Sequence, residues 1–545
     1  MRSNPSPLSA IALLFSMNLA LPLMAQDKPG EAILPEGAPA AMRWVDQADL
    51  LRHANYLASP ALGGRYTGSV GQERAAAYIA EHFNGLGLEP LGDEGEDGQR
   101  QWLQRYPVGK TSLDESGTFL MVGEDRYTEG FGVLAGKGSK QFRIEGDWVV
   151  ESTRRNPDAG PLAGKIPVVL LQAPRLKTSS PEAQFSVAFQ VMARARGMVN
   201  RLATRGATVV VFLMLDDNCG VPSLVNYIGL APGKPLLTQE ADMGMGAMGS
   251  MLAGKIPQVF ASAKLSRTIL RNAGIVADES TEYAEVKGKI GEAQPFPGKV
   301  HLTIVEEQDA HAVNVVGLLR GSDPELASEA VIFTAHMDHM GKRMDGEIFN
   351  GADDNASGSA GLLEIAEAFA RAEKAPRRSV IFLSVSGEEL GLWGSRYFSD
   401  HPTWPIRQIV ANVNTDMIGR TGPESGDDEV TVTPSYRHNH YSTLVQDAAR
   451  MGEKLGMRFT NGDKYYTRSD HFNFARRGVP VVFFCSGEHE DYHQVTDEPD
   501  KLNGAKMETL ARLAFWTGHA AAQAQARPDQ LGRCDGWMGA PRKAK

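Results

Sequence analysis

The chain has 545 residues, of which 42% are hydrophobic and 22% charged, and this composition is typical of folded globular domains rather than of disordered segments. Its 56 lysine and arginine residues against 66 aspartate and glutamate residues give a net charge of −10, which argues against a nucleic-acid partner. Three cysteines in a chain of this length exclude a disulfide-built scaffold, and the length itself suggests two or three domains.

The first 25 residues have the pattern of a secretory signal. Arg2 is the only early charge, an apolar run fills residues 10–23, and the chain turns polar after Ala25. Because this run is shorter than the roughly 20 residues of a membrane span, we expect cleavage of residues 1–25 and export to the periplasm or the cell exterior. We expect no membrane span in the mature chain. Export permits disulfides, and the sequence leaves open which cysteines would pair.

Residues 26–120 are predicted to form the N-terminal part of the main domain. Apolar residues recur at helical spacing in residues 71–83, which predicts a helix, and a glycine-rich connection precedes it at residues 62–68. Residues 121–297 have a different sequence pattern, in which short β-like runs surround one helical stretch at residues 185–203 and no catalytic cluster occurs. A set of long loops in one large domain is the alternative, but unstructured loops of this length are uncommon, so we predict an inserted β-rich domain.

From residue 298 to residue 525, apolar strands alternate with helices. This pattern is typical of a mixed, largely parallel sheet covered by helices on both faces, so the predicted fold class is α/β. The last 20 residues, 526–545, form a polar tail that we expect to be loosely ordered. The predicted elements are strands at residues 331–334, 379–385, 408–413 and 479–484, and a helix at residues 359–371.

Acidic and imidazole side chains stand directly after four of these strands and before one helix. Since the carboxyl ends of parallel strands lie at one edge of a sheet, we expect these groups to converge on one cleft. Packed carboxylates repel unless a cation compensates them, and imidazoles with carboxylates but no thiolates suit zinc. Their number suggests two bridged metal ions. The groups are His336, Asp338, Asp354, Glu388, Glu389, Asp416 and the run of residues 488–493.

Each of these signals also has a simpler interpretation. Asp354 and its neighbours could be no more than a helix cap, and Glu388 and Glu389 no more than a polar turn. The coincidence of four such signals with four strand ends favours a joint site. Asp338 follows His336 by two residues, and on an extended strand both side chains point the same way, so Asp338 can orient the imidazole ring.

These motifs resemble the secreted zinc aminopeptidases of the M28 metallopeptidase family, in particular members with a protease-associated domain inserted in the catalytic domain. The resemblance implies a zinc-exopeptidase-like fold of three αβα layers and a protease-associated-like domain at residues 121–297. The segments that carry it are residues 64–68 (GRYTG), 335–339 (AHMDH), 351–358 (GADDNASG), 386–395 (SGEELGLWGS), 414–420 (NTDMIGR), 468–474 (RSDHFNF) and 491–501 (DYHQVTDEPDK).

Carried over by motif, the resemblance implies two zinc ions per chain. His336 and Asp416 would hold one of them. Glu389 and His493 would hold the other, and Asp354 would bridge the pair.

The resemblance also implies roles for further residues. Glu388 would act as the general base on a metal-bridging water and later protonate the leaving amine. Tyr492 is similar to a tyrosine that stabilises the tetrahedral oxyanion. Arg468 and Asp470 fall near the substrate-binding segment. The implied partner is a peptide with a free N-terminus, and the implied reaction is hydrolysis that releases N-terminal residues.

Other interpretations stay open. Residues 489–493 match H-E-x-x-H, a single-zinc protease pattern whose histidines share a helix face, although these residues follow a strand and precede Pro499 closely. Glutaminyl cyclase, carboxypeptidase or dipeptidase action on the same scaffold is a second alternative, and a non-catalytic binding protein is a third. The sequence leaves the side-chain preference, the oligomeric state and the role of the inserted domain undetermined.

Overall fold

The computed structural model of the protein describes residues 34–539, with gaps at residues 136–139, 154–158, 173–180, 218–219, 240–251, 254–255 and 423–424. The predicted signal segment and Cys219 lie outside the described residues. Cys485 and Cys534 are both buried, and no disulfide joins them. Within the described ranges, no helix has the length and apolar character that crossing a bilayer requires.

Strands are distributed along the whole described chain. In order, they are β1 (Glu89–Pro90), β2 (Leu103–Pro107), β3 (Gly109–Leu113), β4 (Phe119–Val122), β5 (Asp125–Tyr127), β6 (Phe131–Leu134), β7 (Lys140–Glu151), β8 (Ile166–Leu170), β9 (Val210–Leu213), β10 (Leu236–Thr238), β11 (Gln258–Ala261), β12 (Phe296–Glu307), β13 (His311–Leu319), β14 (Ala330–His336), β15 (Gly341–Lys342), β16 (Ile348–Phe349), β17 (Ser379–Val385), β18 (Ile409–Thr415), β19 (Glu429–Thr433), β20 (Arg458–Asn461) and β21 (Val481–Cys485).

Helices connect these strands and cover the sheets. They are α1 (Gln47–Leu57), α2 (Val70–Gly85), α3 (Pro181–Ala203), α4 (Val221–Ile228), α5 (Ala263–Asn272), α6 (Tyr283–Lys289), α7 (Gly358–Ala370), α8 (Trp393–Asp400), α9 (Thr443–Lys454), α10 (His471–Ala475) and α11 (Gly504–Gln523). Short 3₁₀ turns occur at Ala40–Trp44, Pro60–Arg65, Ile290–Glu292, Ile406–Gln408, Asp463–Tyr465 and Pro499–Lys501, and an irregular turn occupies Ala352–Ser357.

The main sheet has the strand order β1-β13-β17-β14-β18-β21-β19-β20, with β2 also paired to β13. The four central strands, β17, β14, β18 and β21, are parallel to one another. They are the four strands that the apolar runs predicted, and every residue in them is buried. The flanking pairs β13–β17 and β19–β21 are antiparallel, so the sheet is mixed. The predicted α/β class is confirmed.

Helices cover both faces of this sheet because alternate strand residues point to opposite sides. Phe333 of β14 and Phe382 of β17 pack with α1, α2, α7 and α11 in one core, whereas Ile332 and Ile381 pack with residues of α8 and α10 in another. The helices predicted at residues 71–83 and 359–371 correspond to α2 and α7, so both predictions are confirmed. Burial of each such phenylalanine contributes about 1.5–3 kcal/mol to the free energy of unfolding.

A second sheet lies within an insertion. The chain leaves the main sheet at Pro107 and re-enters it at His311, and these two residues are register partners in the β2–β13 pair. The inserted strands have the order β10-β3-β12-β7-β8-β9-β11-β6, with β4 and β5 added beside β12. They run from Gly109 to Glu307 and so extend beyond the predicted bounds of 121–297 at both ends.

The inserted region contains more helix than a β-rich domain would. Helices α3 and α4 pack on one face of its sheet, and α5 packs on the other. The helix predicted at residues 185–203 corresponds to α3, whereas α4, α5 and α6 went unpredicted because ten residues or fewer give a weak periodic signal.

The described part of the tail, residues 526–539, packs against the main domain, contrary to the prediction. The ring of Trp537 lies 5.4 Å from the Phe459 ring and 5.3 Å from the Tyr436 ring. The backbone amides of Leu531 and Cys534 donate hydrogen bonds of 2.7 Å to main-chain carbonyls near the start of α9. Polarity and glycine content suggested a loose tail, but the ring of Trp537 and these backbone hydrogen bonds hold it against the core.

Candidate metal centre

Four loops and one irregular turn bring acidic and imidazole groups to the carboxyl edge of the parallel strands. His336 is the last residue of β14, and Asp416 directly follows β18. Glu388 and Glu389 lie in the loop after β17, and the loop after β21 carries His493. The irregular turn that precedes α7 supplies Asp354. This edge is where open parallel sheets bind ligands.

Asp354 lies between the two histidines predicted to bind separate metals. Its Oδ1 atom is 3.4 Å from His336 Nε2, and its Oδ2 atom is 3.0 Å from His493 Nε2. His336 Nε2 is also 3.3 Å from Asp416 Oδ1, and His493 Nε2 is 3.1 Å from Glu389 Oε2. The five predicted ligands therefore form one chain of contacts with Asp354 at its centre.

The donor atoms fit a pair of divalent cations. His336 Nε2 and Asp416 Oδ1 are buried and near each other, yet neither forms a hydrogen bond of regular geometry with another described group. Buried polar atoms without a partner are costly, and a bound cation would satisfy them. One donor atom from each of His336, Glu388 and Asp416 lies within 4.8 Å of the others, and the same holds for His339, Asp354 and Glu389.

The pKa directions show how strongly these groups attract positive charge. Burial would lower the pKa of His336, but the carboxylates of Asp416 and Glu388 raise it well above its usual value. Burial is likewise outweighed at His493, where Glu389 and Asp354 raise the pKa to about 10. Without a cation, both rings would therefore hold protons at neutral pH, and metal binding would displace those protons.

Glu388 differs from Glu389 in its electrostatic surroundings. Burial raises the pKa of Glu388 well above its ordinary value, and the neighbouring carboxylates of Asp416 and Asp470 raise it further against the opposing effect of His336. At Glu389, burial is overcome by His493 and His339, which hold the pKa well below its ordinary value. The pKa values of the two adjacent glutamates are thus shifted in opposite directions, because burial prevails at Glu388 and the imidazole neighbours prevail at Glu389.

Asp338 links several parts of the site. Its Oδ2 atom accepts a 2.8 Å hydrogen bond from Thr67 Oγ1, and its Oδ1 atom accepts a 3.4 Å bond from the Glu388 amide. His336 Nδ1 lies 3.2 Å from the Asp338 main-chain carbonyl and 3.8 Å from its carboxylate. The Asp338 carbonyl thus contacts the imidazole ring more closely than the Asp338 carboxylate does, because β14 ends at His336 and the strand geometry does not continue.

The glycine-rich segment at residues 64–68 holds two of the site loops together. Arg65 is 1% exposed, and its guanidinium donates hydrogen bonds of 2.8, 2.7 and 2.9 Å to the carbonyls of Met337, Asn350 and Gly351. Gly64 has a φ of +72°, and a Cβ atom there would lie 2.3 Å from a main-chain oxygen of the β15–β16 hairpin. Arg65 therefore fixes the loop after His336 relative to the turn that carries Asp354.

A second carboxylate supports the same turn. Asp497 accepts hydrogen bonds of 3.0 and 3.1 Å from the backbone amides of Asp353 and Asp354. His489 Nε2 lies 3.2 Å from Asp353 Oδ2. His489 and His493 thus face different carboxylates, and residues 489–493 form turns rather than a helix. The H-E-x-x-H alternative is wrong for this reason.

A cavity of about 50 Å³ opens beside the cluster. Arg468 lies at this cavity, where it donates a 2.8 Å hydrogen bond to Glu488 and a 3.3 Å hydrogen bond to the Tyr492 hydroxyl. Asp470 is fully buried, and burial raises its pKa to about 7. It is absent from the described lining residues, which are Asp354, Glu388, Asp416, Met417, Tyr465, Arg468, Phe483, Cys485, Glu488 and Tyr492.

Sequence reasoning missed His339 and Asp497. His339 is fully buried, with its Nδ1 atom 2.7 Å from Glu389 Oε1 and 3.8 Å from Asp354 Oδ2. Its place three residues after His336, within the segment 335–339, was an available signal. Asp497 lies within the quoted segment 491–501 but carries no signal of its own, because its partners are backbone amides.

Known proteins resemble this chain in sequence. Residues 314–517 match the peptidase family M28. Leupeptin-inactivating enzyme 1 of Streptomyces exfoliatus is 30% identical over 230 residues, which cover 42% of this chain and 47% of the enzyme. Aminopeptidase YwaD of Bacillus subtilis (strain 168) is 24% identical over 257 residues, covering 45% of this chain and 52% of YwaD. The chain spans about half the length of these curated relatives.

A solved structure shares the fold over a larger part of the chain. The zinc aminopeptidase BSAP from Bacillus subtilis superposes with a TM-score of 0.54 and 16% sequence identity. The match covers 89% of this chain and 97% of BSAP. At this identity the similarity establishes the architecture alone.

Proposed function

We propose that this chain, which belongs to peptidase family M28 through residues 314–517, is a di-zinc aminopeptidase that removes N-terminal residues from peptides. The observation that carries the proposal is the position of Asp354, whose two carboxylate oxygens face His336 on one side and His493 on the other. A carboxylate with an imidazole on each side is an arrangement that can hold a bridged pair of metal ions.

The residues present would hold two zinc ions. His336 and Asp416 would bind one ion, Glu389 and His493 the other, and Asp354 both. When bound, zinc would activate a water molecule and polarise the scissile carbonyl. The buried His339 contacts Glu389 and would fix the orientation of its carboxylate.

Glu388 would move the proton during hydrolysis. Its carboxylate lines the cavity beside Asp354 and Asp416, where it would take a proton from the attacking water and deliver it to the leaving amine. The contact of its backbone amide with Asp338 holds the residue in place. Burial raises the pKa of Glu388, so its carboxylate binds a proton more readily than an exposed glutamate does, which favours this two-way exchange.

Tyr492 would stabilise the negative charge that develops on the carbonyl oxygen. Its hydroxyl accepts a hydrogen bond from Arg468, so the hydroxyl proton remains available to donate toward the cavity. Burial raises the pKa of Tyr492 well above its ordinary value and keeps the phenol neutral. A neutral donor fixed before the reaction lowers the barrier to oxyanion formation.

The charge of the cavity favours an N-terminal amine over a C-terminal carboxylate. The carboxylates of Asp354, Glu388, Asp416 and Glu488 line it, whereas its lining cation, Arg468, is already paired with Glu488. A carboxypeptidase needs a cation that is free to bind the substrate carboxylate, so this alternative is disfavoured. Four other lining residues form an apolar cluster, which supports a preference for apolar N-terminal side chains. They are Met417, Tyr465, Phe483 and Cys485.

Two further alternatives lack such support. Cyclisation of an N-terminal glutamine needs a site for the glutamine amide, and the lining residues that would contact the side chain form an apolar cluster. A non-catalytic binding protein would have no need for all five ligands together with Glu388 and Tyr492, and every one of these residues is present. One of the curated relatives is named an aminopeptidase.

Hydrolysis of matched peptides tests the proposal. Leucine-initiated peptides with free N-termini should be cleaved, and acetylation of the N-terminus should lower kcat/KM on the order of 10⁴-fold because the carboxylates lose their cationic partner. Removal of zinc with a chelator should abolish turnover, and added zinc should restore it. Equal cleavage of free and acetylated peptides, or indifference to the chelator, would refute the proposal.

We also propose that the protein is exported and that residues 1–25 are removed. The apolar run at residues 10–23 and the polar residues after Ala25 support this step. Mass spectrometry of the protein recovered outside the cytoplasm should find an N-terminus at Gln26. An intact N-terminus on protein found only in the cytoplasm would contradict export.

A further inference from the structure

The inserted region contacts the loop that follows the metal-ligand strand β14. Helix α4 of the insertion presents Asn226, whose side-chain amide donates a 2.9 Å hydrogen bond to the carbonyl of Met340. The hydroxyl of the next residue, Tyr227, lies 3.3 Å from the Met340 sulfur. Met340 is four residues after His336, so α4 packs directly on the site loop.

Further contacts fix the position of α4. The Lys234 ammonium group is buried, donates a hydrogen bond to the carbonyl of Asn226 and lies 4.2 Å from the centre of the Tyr66 ring. Met344, from the hairpin of the main domain, packs in the same apolar cluster as Val225 of α4. The insertion is therefore joined to the main domain by both polar and apolar contacts.

Tyr227 reaches a predicted metal ligand. Its hydroxyl lies 3.0 Å from His493 Nδ1, whereas the opposite ring nitrogen, Nε2, faces Asp354 and Glu389. A histidine that binds a metal through Nε2 carries its proton on Nδ1 and donates it to a neighbouring acceptor. The Tyr227 oxygen can accept a hydrogen bond from this N–H group while its own hydroxyl donates to the Met340 sulfur, a weak acceptor.

The two metal-binding histidines thus have supports from different parts of the chain. His336 Nδ1 faces Asp338, in the loop of its own strand. His493 Nδ1 faces a residue 266 positions earlier, in the insertion. The ring of Tyr492 stacks on the His493 ring at 3.9 Å between centres, but stacking leaves the rotation of the ring in its plane unfixed.

We propose that Tyr227 is a positioning residue for His493 and that the insertion thereby completes one half of the metal centre. This inference rests on the proposed role of His493 as a metal ligand. It gives the insertion a part in assembling the site: a main domain without α4 would keep all five ligands but would hold His493 less firmly.

Zinc titration of the metal-free protein tests this role. Tyr227→Phe keeps the ring and removes only the hydroxyl. We expect one of its two zinc-binding steps to lose affinity by about 10- to 100-fold, as is usual when a partner of a metal-binding histidine is removed, while the other step is unchanged. A competing chromophoric chelator resolves the two steps, and zinc content after dialysis should fall from two ions per chain toward one.

Tyr283→Phe in α6 is the matched control, because Tyr283 packs in the apolar cluster on the other face of the inserted sheet. It should bind zinc as the unaltered protein does. Two zinc affinities within twofold of the unaltered protein in Tyr227→Phe would overturn the proposal. So would an equal loss at both steps with a lower melting temperature of the metal-free protein, since that pattern indicates general loosening. A protein that binds two zinc ions but cleaves no peptide would refute the proposed function and leave this test intact.

Discussion

Replacement of Glu388 by glutamine should lower kcat/KM by about 10²- to 10⁴-fold while two zinc ions remain bound. Glutamine has nearly the same shape as glutamate but cannot accept a proton from the attacking water or return it to the leaving amine. Glu388 faces the cavity and lies close to His336 and Asp416, yet the five ligands form their contact network without it. The expected loss is therefore in chemistry and not in metal binding, and steady-state kinetics with zinc analysis of the same sample would separate the two.

Glu490→Gln is the matched control for this experiment. Glu490 is exposed and belongs to the H-E-x-x-H pattern at residues 489–493, in which it would be the general base. Its replacement should leave kcat/KM within about twofold of the unaltered enzyme, as is usual for exposed side chains that touch no reacting group. Loss of turnover in Glu490→Gln with full activity in Glu388→Gln would contradict the assignment of the base.

The centre of the fold could be predicted from the sequence because its strands are buried on both faces. Continuous apolar runs mark β14, β17, β18 and β21, and the last residue of each run lies within two residues of the last residue of the observed strand. Strand β19 and the edge strand β20 were not predicted. Both are short, and none of the residues of β20 is fully buried, so its sequence is largely polar.

The candidate metal ligands could be grouped from the sequence for a related reason. Each of the candidate ligands His336, Asp416 and Glu389 lies within four residues of a predictable strand end, so their positions in the sequence indicated that they share one edge of the sheet. Tyr227 had no such pattern. Its contact with His493 depends on how the inserted sheet sits against the main one, and no local periodicity encodes that arrangement.

The same limit applies to the groups that hold the site in shape. Arg65 and Asp497 act on main-chain carbonyls and amides, which every residue possesses, so the sequence around their partners is uninformative. Polar tails are usually mobile, yet the described part of the tail is held by the packing of Trp537. Contacts to backbone and to single distant aromatic rings are therefore the parts of this structure that sequence reasoning cannot supply.

Asp354→Asn should reduce zinc content below two ions per chain and lower kcat/KM by about 10³-fold. The side chain faces His336 through one oxygen and His493 through the other. An amide offers one neutral oxygen where a bridge needs two charged ones, and its NH₂ group would point at an imidazole or a cation. Zinc analysis after dialysis and initial rates on a leucine-initiated peptide would measure both effects.

Asp353→Asn provides the matched comparison, because the two acids are adjacent and both are buried. Asp353 Oδ1 accepts hydrogen bonds of 2.6 Å from the Gly419 amide and 3.0 Å from Ser357 Oγ, and an asparagine oxygen can keep both. Its other oxygen faces His489, which contacts none of the predicted ligands in the described structure. Asp353→Asn should thus retain two zinc ions and lose activity by at most about 100-fold, as expected for a group that supports the candidate ligands without binding metal itself. If Asp353→Asn lost zinc while Asp354→Asn kept it, the bridge would have to be the first acid of the pair. The oxygens of that acid are engaged with Ser357, Gly419 and His489, so such a result would require the turn before α7 to rearrange when metal binds.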